Sequence, residues 1–169
     1  STAVAKQSVT VSASGFTASG TISNDGLTVG SIVQDTLTNG NAETTVTADN
    51  SGNMVLTFKI PDDETTRTAG THVIKIIDSS NRIGEVNLTV PSRSVTIDPT
   101  NGRRGSSFTI DGSGFIASTT VTITFLSGTT TSTIATTSAD SSGNFSTTGK
   151  VPTTAGIPST NTVTAASAC

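Results

Sequence analysis

Gly112-Ser113-Gly114-Phe115-Ile116-Ala117-Ser118, with Asp140-Ser141-Ser142-Gly143-Asn144-Phe145 downstream of it, decides how this chain folds, because both stretches have an earlier twin. Ala13-Ser14-Gly15-Phe16-Thr17-Ala18-Ser19 matches the first, and Asp49-Asn50-Ser51-Gly52-Asn53-Met54 matches the second. A third pair follows, Phe58-Lys59-Ile60-Pro61 against Gly149-Lys150-Val151-Pro152. Repeats in the same order mean one unit built twice. Phe16 and Phe115 are 99 positions apart, whereas Asp49 and Asp140, like Pro61 and Pro152, are 91 apart. The first copy therefore holds about eight more residues between its Gly-Phe and its Asp turn, a change that surface loops tolerate.

The repeat divides the 169 residues into two small domains, 1–91 and 92–169. Roughly a third of the residues are Ser or Thr, and only 12% are charged. Alternating Val, Ile and Phe positions and a mean hydropathy of -0.01 oppose a disordered stalk. Thr, Val and Ile dominate over Leu, Glu, Lys and Met, and β-branched side chains suit a pleated surface better than a helix. Almost no helix is expected. A net charge of -3 argues against nucleic acid as a partner. The lone basic pair, Arg103-Arg104, reads as a solvated turn. No apolar run is long enough to span a membrane. No signal peptide opens the chain, which is therefore read as a mature or excised product. The single cysteine, Cys169, has no internal partner; it is a cut point or chain end, or it acts between molecules.

Ser8-Val9-Thr10-Val11-Ser12 alternates, and Ser14-Gly15-Phe16 breaks that strand. Residues 21–48 predict two or three short strands with loops. Asp49 to Asn53 predicts a hairpin turn in which Gly52 takes a positive φ. Met54, Leu56, Phe58 and Ile60 then share one face of the clearest strand, which Pro61 ends. His72–Ile77 is another strand. Glu85–Val90 closes the first unit with Val86, Leu88 and Val90 inward. The short Pro91 join predicts a semi-rigid rod. The second unit opens with Val95-Thr96-Ile97 and continues through Phe108–Asp111, Val121–Phe125, Ile134, Phe145–Val151 and Val163-Thr164-Ala165. Short strands at regular spacing predict an all-β fold of two tandem antiparallel β-sandwiches.

Val95-Thr96-Ile97-Asp98-Pro99, Gly105, Phe108-Thr109-Ile110-Asp111-Gly112-Ser113-Gly114-Phe115 and Val121-Thr122-Ile123 together resemble the IPT/TIG-type immunoglobulin-like domains of prokaryotic surface proteins. The downstream Asp-x-Ser-Gly-x-Phe and Val-Pro pattern is similar to the version found in tandem arrays on secreted proteins. The first unit departs from the pattern: it lacks the opening Pro/Gly turn, and its middle is longer. The resemblance implies an immunoglobulin-like sandwich with an architectural role at the cell surface. It implies no chemistry.

Laying one unit on the other exposes a mismatch. The first unit has only Ser1, Thr2, Ala3, Val4, Ala5, Lys6 and Gln7 where the second has an opening strand, so its front strand is lacking. The second unit has nothing matching Val86–Val90, so its closing strand is lacking. Two readings fit. In one, the chain is a piece of a longer array, cut across domain boundaries. In the other, Ser1–Gln7 of one molecule is donated to the second unit of the next, satisfying an open edge and an open core. That contact is head-to-tail and builds a filament.

Candidate chemistry is thin. His72 is the only histidine and reads as a half-buried sheet residue. Asp62, Asp63 and Glu64 are weak candidates for calcium, and a solvated acidic loop is the plainer reading. Lys59 and Lys150 occupy matching places, but outward parity argues against isopeptide cross-links. Asn87-Leu88-Thr89 and Asn144-Phe145-Ser146 are N-glycosylation sequons with both Asn on the outward parity, so covalent glycans are candidate modifications. No cofactor is implied, and no enzyme is expected. The expectation is an extracellular structural subunit of a filament, pilus-like fibre or surface layer, a homopolymer of this chain. The alternative is an adhesin, or a polysaccharide-binding or spacer module of a larger secreted protein. The absence of Trp and Tyr favours structure over sugar binding.

Overall fold

The computed structural model describes residues 1–24, 38–39, 42–43, 46–60, 62, 67–156 and 159–168. The chain forms two compact units, Ser1–Ser92 and Arg93–Cys169. The architecture is all-β, and among the described residues the bounded elements are fourteen strands in antiparallel sheets.

In the first unit, β1 (Ser8–Ala13) pairs with β6 (Met54–Lys59) to make one sheet. The other sheet has the order β5-β2-β7-β8, from β5 (Val46–Thr47), β2 (Thr21–Asn24), β7 (Gly70–Asp78) and β8 (Ile83–Val90). A small ladder joins β3 (Thr38–Asn39) to β4 (Ala42–Glu43). The alternation of β8 does what the sequence asks of it: Leu88 and Val90 are buried, and Val86 packs against the same core. Val11, Phe16, Met54, Ile60, Ile74 and Ile76 meet them there. The side chains of Leu56 and Phe58 lie outside the described set, so the predicted face is seen through Met54 and Ile60.

In the second unit, β10 (Ser107–Ser113) lies between β13 (Phe145–Lys150) and β9 (Ser94–Asp98). Opposite them, β11 (Thr120–Ser127) lies between β12 (Thr130–Ser138) and β14 (Thr162–Ser167). Both sheets feed one core, in which Ile110, Phe115, Val121 and Ile123 are almost wholly enclosed. Phe115 meets Phe145 edge to face, at 5.1 Å between ring centroids and 70° between planes, the geometry aromatic pairs prefer.

The duplicated motifs turn out to be two halves of one lock. Phe16 N–H donates to Gly52 O at 3.1 Å and Ser19 N–H to Asp49 O at 3.1 Å. In the second unit Phe115 N–H donates to Gly143 O at 3.0 Å and Ser118 N–H to Asp140 O at 3.0 Å. The turn folds around its Asp. Asp49 Oδ1 accepts from Ser51 N–H at 2.8 Å and Asn53 N–H at 2.9 Å, and Asp140 Oδ1 does the same for Ser142 and Asn144. Gly52 and Gly143 sit at φ 77° and 78°, a region that penalises a Cβ. A Cβ on Gly52 would also collide with the Phe16 carbonyl oxygen. The Gly-Phe bend and the Asp turn recur together because each supplies the other's hydrogen bonds.

Candidate functional site

Three carboxylates, those of Asp49, Asp78 and Asp140, hold backbone amides. The amides of Asn53 and Ser51, with the Asn53 side chain, hold the Asp49 carboxyl below its ordinary range; Asn144 and Ser142 do so for Asp140. Asp78 is buried at the end of β7. Its Oδ2 accepts from Thr17 N–H at 2.7 Å, and its Oδ1 from Ser80 and Arg82 N–H at 2.8 and 2.9 Å. Burial opposes its ionisation, but the amides of Thr17, Arg82 and Ser80 outweigh it and hold the carboxyl at about 2. Asp78 therefore clips the Gly-Phe bend to the β7–β8 turn.

His72 is 5% exposed in β7, deeper than the half-buried position expected of it, and its Nε2 lies 3.0 Å from Thr68 O. Among the described residues, no group of three His, Cys, Asp or Glu could hold a metal ion. Asp62 Oδ2 lies 3.1 Å from Lys6 Nζ, and its Oδ1 accepts from Arg67 Nε at 2.7 Å. Partial burial pushes the Asp62 carboxyl up, and the hydrogen bonds and charges of Arg67 and Lys6 bring it below its usual range. That carboxylate is a tie between segments. Asp63, Glu64 and Cys169 lie outside the described residues. Asn87, in β8, and Asn144, beside the Asp140 turn, are both exposed. Lys59 and Lys150 are exposed at the ends of β6 and β13. Arg104 Nε donates to Ala155 O at 2.6 Å, so the basic pair is partly tied down.

The sheet edges are the more informative features. Ser1–Gln7 does not lie free for donation. Ala3, Val4 and Ala5 are 1%, 3% and 2% exposed. Thr2 bridges Thr89 in parallel, Ala3 N–H donates to Thr89 O at 3.0 Å, and Thr89 N–H donates to Ser1 O at 2.8 Å. The segment expected to be donated is docked within its own unit here: Ala3 joins the core that contains Leu88, and the backbone of Ser1–Ala3 meets β8 at Thr89.

Nor does Ser1–Gln7 stand in the place of Val95–Ile97. The 99-residue offset carries it onto Thr100–Ser106, and the hydrogen bonds agree. Lys6 N–H donates to Ile60 O at 2.9 Å as Gly105 N–H donates to Val151 O at 2.8 Å. Ile60 N–H returns to Gln7 O at 2.9 Å as Val151 N–H returns to Ser106 O at 2.9 Å. Lys6 and Gly105 share a positive φ, 65° and 77°. The counterpart of β9 would lie on the outer edge of β1, which among the described residues pairs only with β6. A groove of about 260 Å³ there is lined by Val9, Val11, Ile74, Val86 and Leu88.

In the second unit β14 ends its sheet, paired only with β11 among the described residues. Beside it runs a groove of about 270 Å³, whose lining includes Thr100, Asn101 and Gly102 together with Ser159, Thr160, Asn161 and Val163. Phe108, Phe125 and Val151 also line it.

No protein-family model and no curated protein matches the chain. Among the solved structures similar to it are the following two. A tetra-tandem repeat in the extending region of a large adhesion protein is 15% identical over 97% of this chain and 45% of that one, with a TM-score of 0.33. Dimeric latent PorU from Porphyromonas gingivalis is 15% identical over 98% of this chain and 18% of that one, with a TM-score of 0.29. The chain spans less than half the length of either.

Proposed function

We propose that the chain is a non-catalytic, architectural module of an extracellular surface protein, a pair of immunoglobulin-like sandwiches in a tandem array. One observation carries this: the same Gly-Phe and Asp-turn lock is built twice, and Asp49, Asp78 and Asp140 spend their carboxylates on backbone amides. A repeated unit whose polar groups close corners is suited to spacing and bearing tension. The described Phe side chains, Phe16, Phe108, Phe115, Phe125 and Phe145, are buried. None of these five offers the exposed aromatic face that sugar-binding sites use. Exposed Asn87 and Asn144 suit the carriage of glycans.

Labelling intact, unpermeabilised cells with an antibody against the module tests the location. Surface label is expected, and label only after permeabilisation overturns the reading. The sharper reading, a homopolymer joined head-to-tail by donation of Ser1–Gln7, requires that segment to leave the seat it holds under β8. Its docking there favours the array. Negative-stain images of native material separate the two: fibres built of this chain alone support the homopolymer, and single particles support the array.

A further inference from the structure

The two units hold one seat in two conditions. In the first, β8 lies between two partners, antiparallel to β7 on one side and bridged in parallel to the Ser1–Ala3 backbone on the other. The partners of that seat recur in the second unit. Ile22 stands opposite Asp78, and its repeat equivalent Val121 stands opposite Ser167. Ile74, Ile76 and Asp78 therefore correspond to Val163, Ala165 and Ser167, and Ser1–Ala3 corresponds to Thr100–Gly102. Thr100–Gly102 and the start of β14 both line the 270 Å³ groove.

We propose that this groove is a strand-acceptor site, and that its occupant is an extended polypeptide segment with the pattern of β8: Gly or another small residue, then branched aliphatics at three alternate positions. The occupant lies antiparallel to β14 and parallel to Thr100–Gly102. Its register is read from the first unit, where Val86 faces Ile74, Leu88 faces His72 and Val90 faces Gly70. The equivalent residues of the occupant face Val163, Asn161 and Ser159. The Leu88 and Val90 equivalents then enter the groove over Phe108, Phe125 and Val151. Main-chain bonding along β14 supplies affinity, and the alternate aliphatic side chains supply selectivity. Ser1–Gln7 of a second copy is a poorer occupant. It offers only Ala3, Val4 and Ala5 as apolar groups, and it already serves as a wall of the first unit's seat. The site goes beyond the proposed surface role, since it concerns what completes the second unit wherever the module resides.

The test uses the full chain and a labelled peptide with the sequence Ile83–Val90. Fluorescence anisotropy is expected to show saturable binding. Hydrogen exchange is expected to slow at Val163 and Ala165 on binding. A peptide carrying Val86→Asn, Leu88→Asn and Val90→Asn together, or a peptide with the sequence Ser1–Gln7, is expected to bind at least tenfold more weakly. Should the peptide prove too weak or insoluble, the Ile83–Val90 sequence joined after residue 169 by a flexible Gly/Ser linker acts at high effective concentration. That chain is expected to raise the melting temperature of the second unit by about 4 °C or more, and its triple-Asn version is expected not to. Equal binding by the triple-Asn peptide, protection on β1 in place of β14, preferential binding of the Ser1–Gln7 peptide, or no thermal shift in the linked chain overturns the proposal.

Discussion

β7 and β14 are the same strand of the same repeated unit, yet one is interior and the other is a border. Ile74 and Ile76 are 3% and 2% exposed, whereas their counterparts Val163 and Ala165 are half-buried. The difference does not come from the strands' own alternation, which has the same parity. It comes from β8, which pairs with β7 from Gly70 through Ile77. A strand's inward face is thus set by its sequence, but its burial is set by whether the next strand arrives.

The largest expected effect comes from removing what makes the first unit's seat full. Leu88→Ala deletes a side chain that is 1% exposed and should cost about 2–5 kcal/mol. Residue-resolved urea unfolding should place the whole loss in the first unit. A loss shared by Val121 and Ile123 would break the comparison by showing that the units do not unfold separately.

The next effect sharpens the likeness between units. Gly52→Ala and Gly143→Ala each force a Cβ into the positive-φ corner of the lock, costing on the order of 1–3 kcal/mol in the unit concerned. Losses are expected at both in the same unfolding experiment, the larger at Gly52, where the Cβ also meets the Phe16 carbonyl oxygen. A neutral result at either glycine would mean that the shared motif does not do the same job twice.

Acid distinguishes the units again. The native Asp78 carboxyl, at about 2, is depressed below the roughly 3.9 of an unfolded Asp. The stabilisation it gives is therefore full above pH 4 or so and is lost as pH falls toward 2. Ser167 stands in the corresponding place of the second unit. Melting temperatures recorded from pH 5 to pH 2 should fall more steeply for the first unit, and Asp78→Asn should flatten that part of the slope. A steeper fall in the second unit would contradict the clip assigned to Asp78. The smallest effect is expected for Val163→Ala, about 1 kcal/mol, because that side chain packs on one side only. A loss as large as that of Leu88→Ala would mean that β14 is already covered.

Much of this was legible in the chain. The β-branched alternation of Glu85–Val90 and Phe108–Ile110 shows strands, and the twin motifs show two units. Asp49 and Asp140 show their turns, because a carboxylate two and four residues before waiting amides is a local device. Asp78 was not legible as a clip, since one of its partners, Thr17, lies 61 residues away. Burial of Ala3, Val4 and Ala5 was equally hidden, because small side chains carry weak periodic signal. The correspondence of Ser1–Gln7 with Thr100–Ser106 was present in the 99-residue offset. It was obscured because both segments precede a strand without pairing as one.

Hydrogen exchange on the unliganded chain tests the central contrast most directly. Ala168 N–H donates to Thr120 O, and the antiparallel ladder then turns the amides of Val163 and Ala165 away from β11 toward the open edge. Asp78 N–H donates to Arg82 O, which by the same alternation points the amides of Ile74 and Ile76 into β8. Ile74 and Ile76 should exchange only with unfolding of the first unit, while Val163 and Ala165 should exchange by local opening, far faster. Equal protection at the two pairs would show that β14 is no border and would contradict the account.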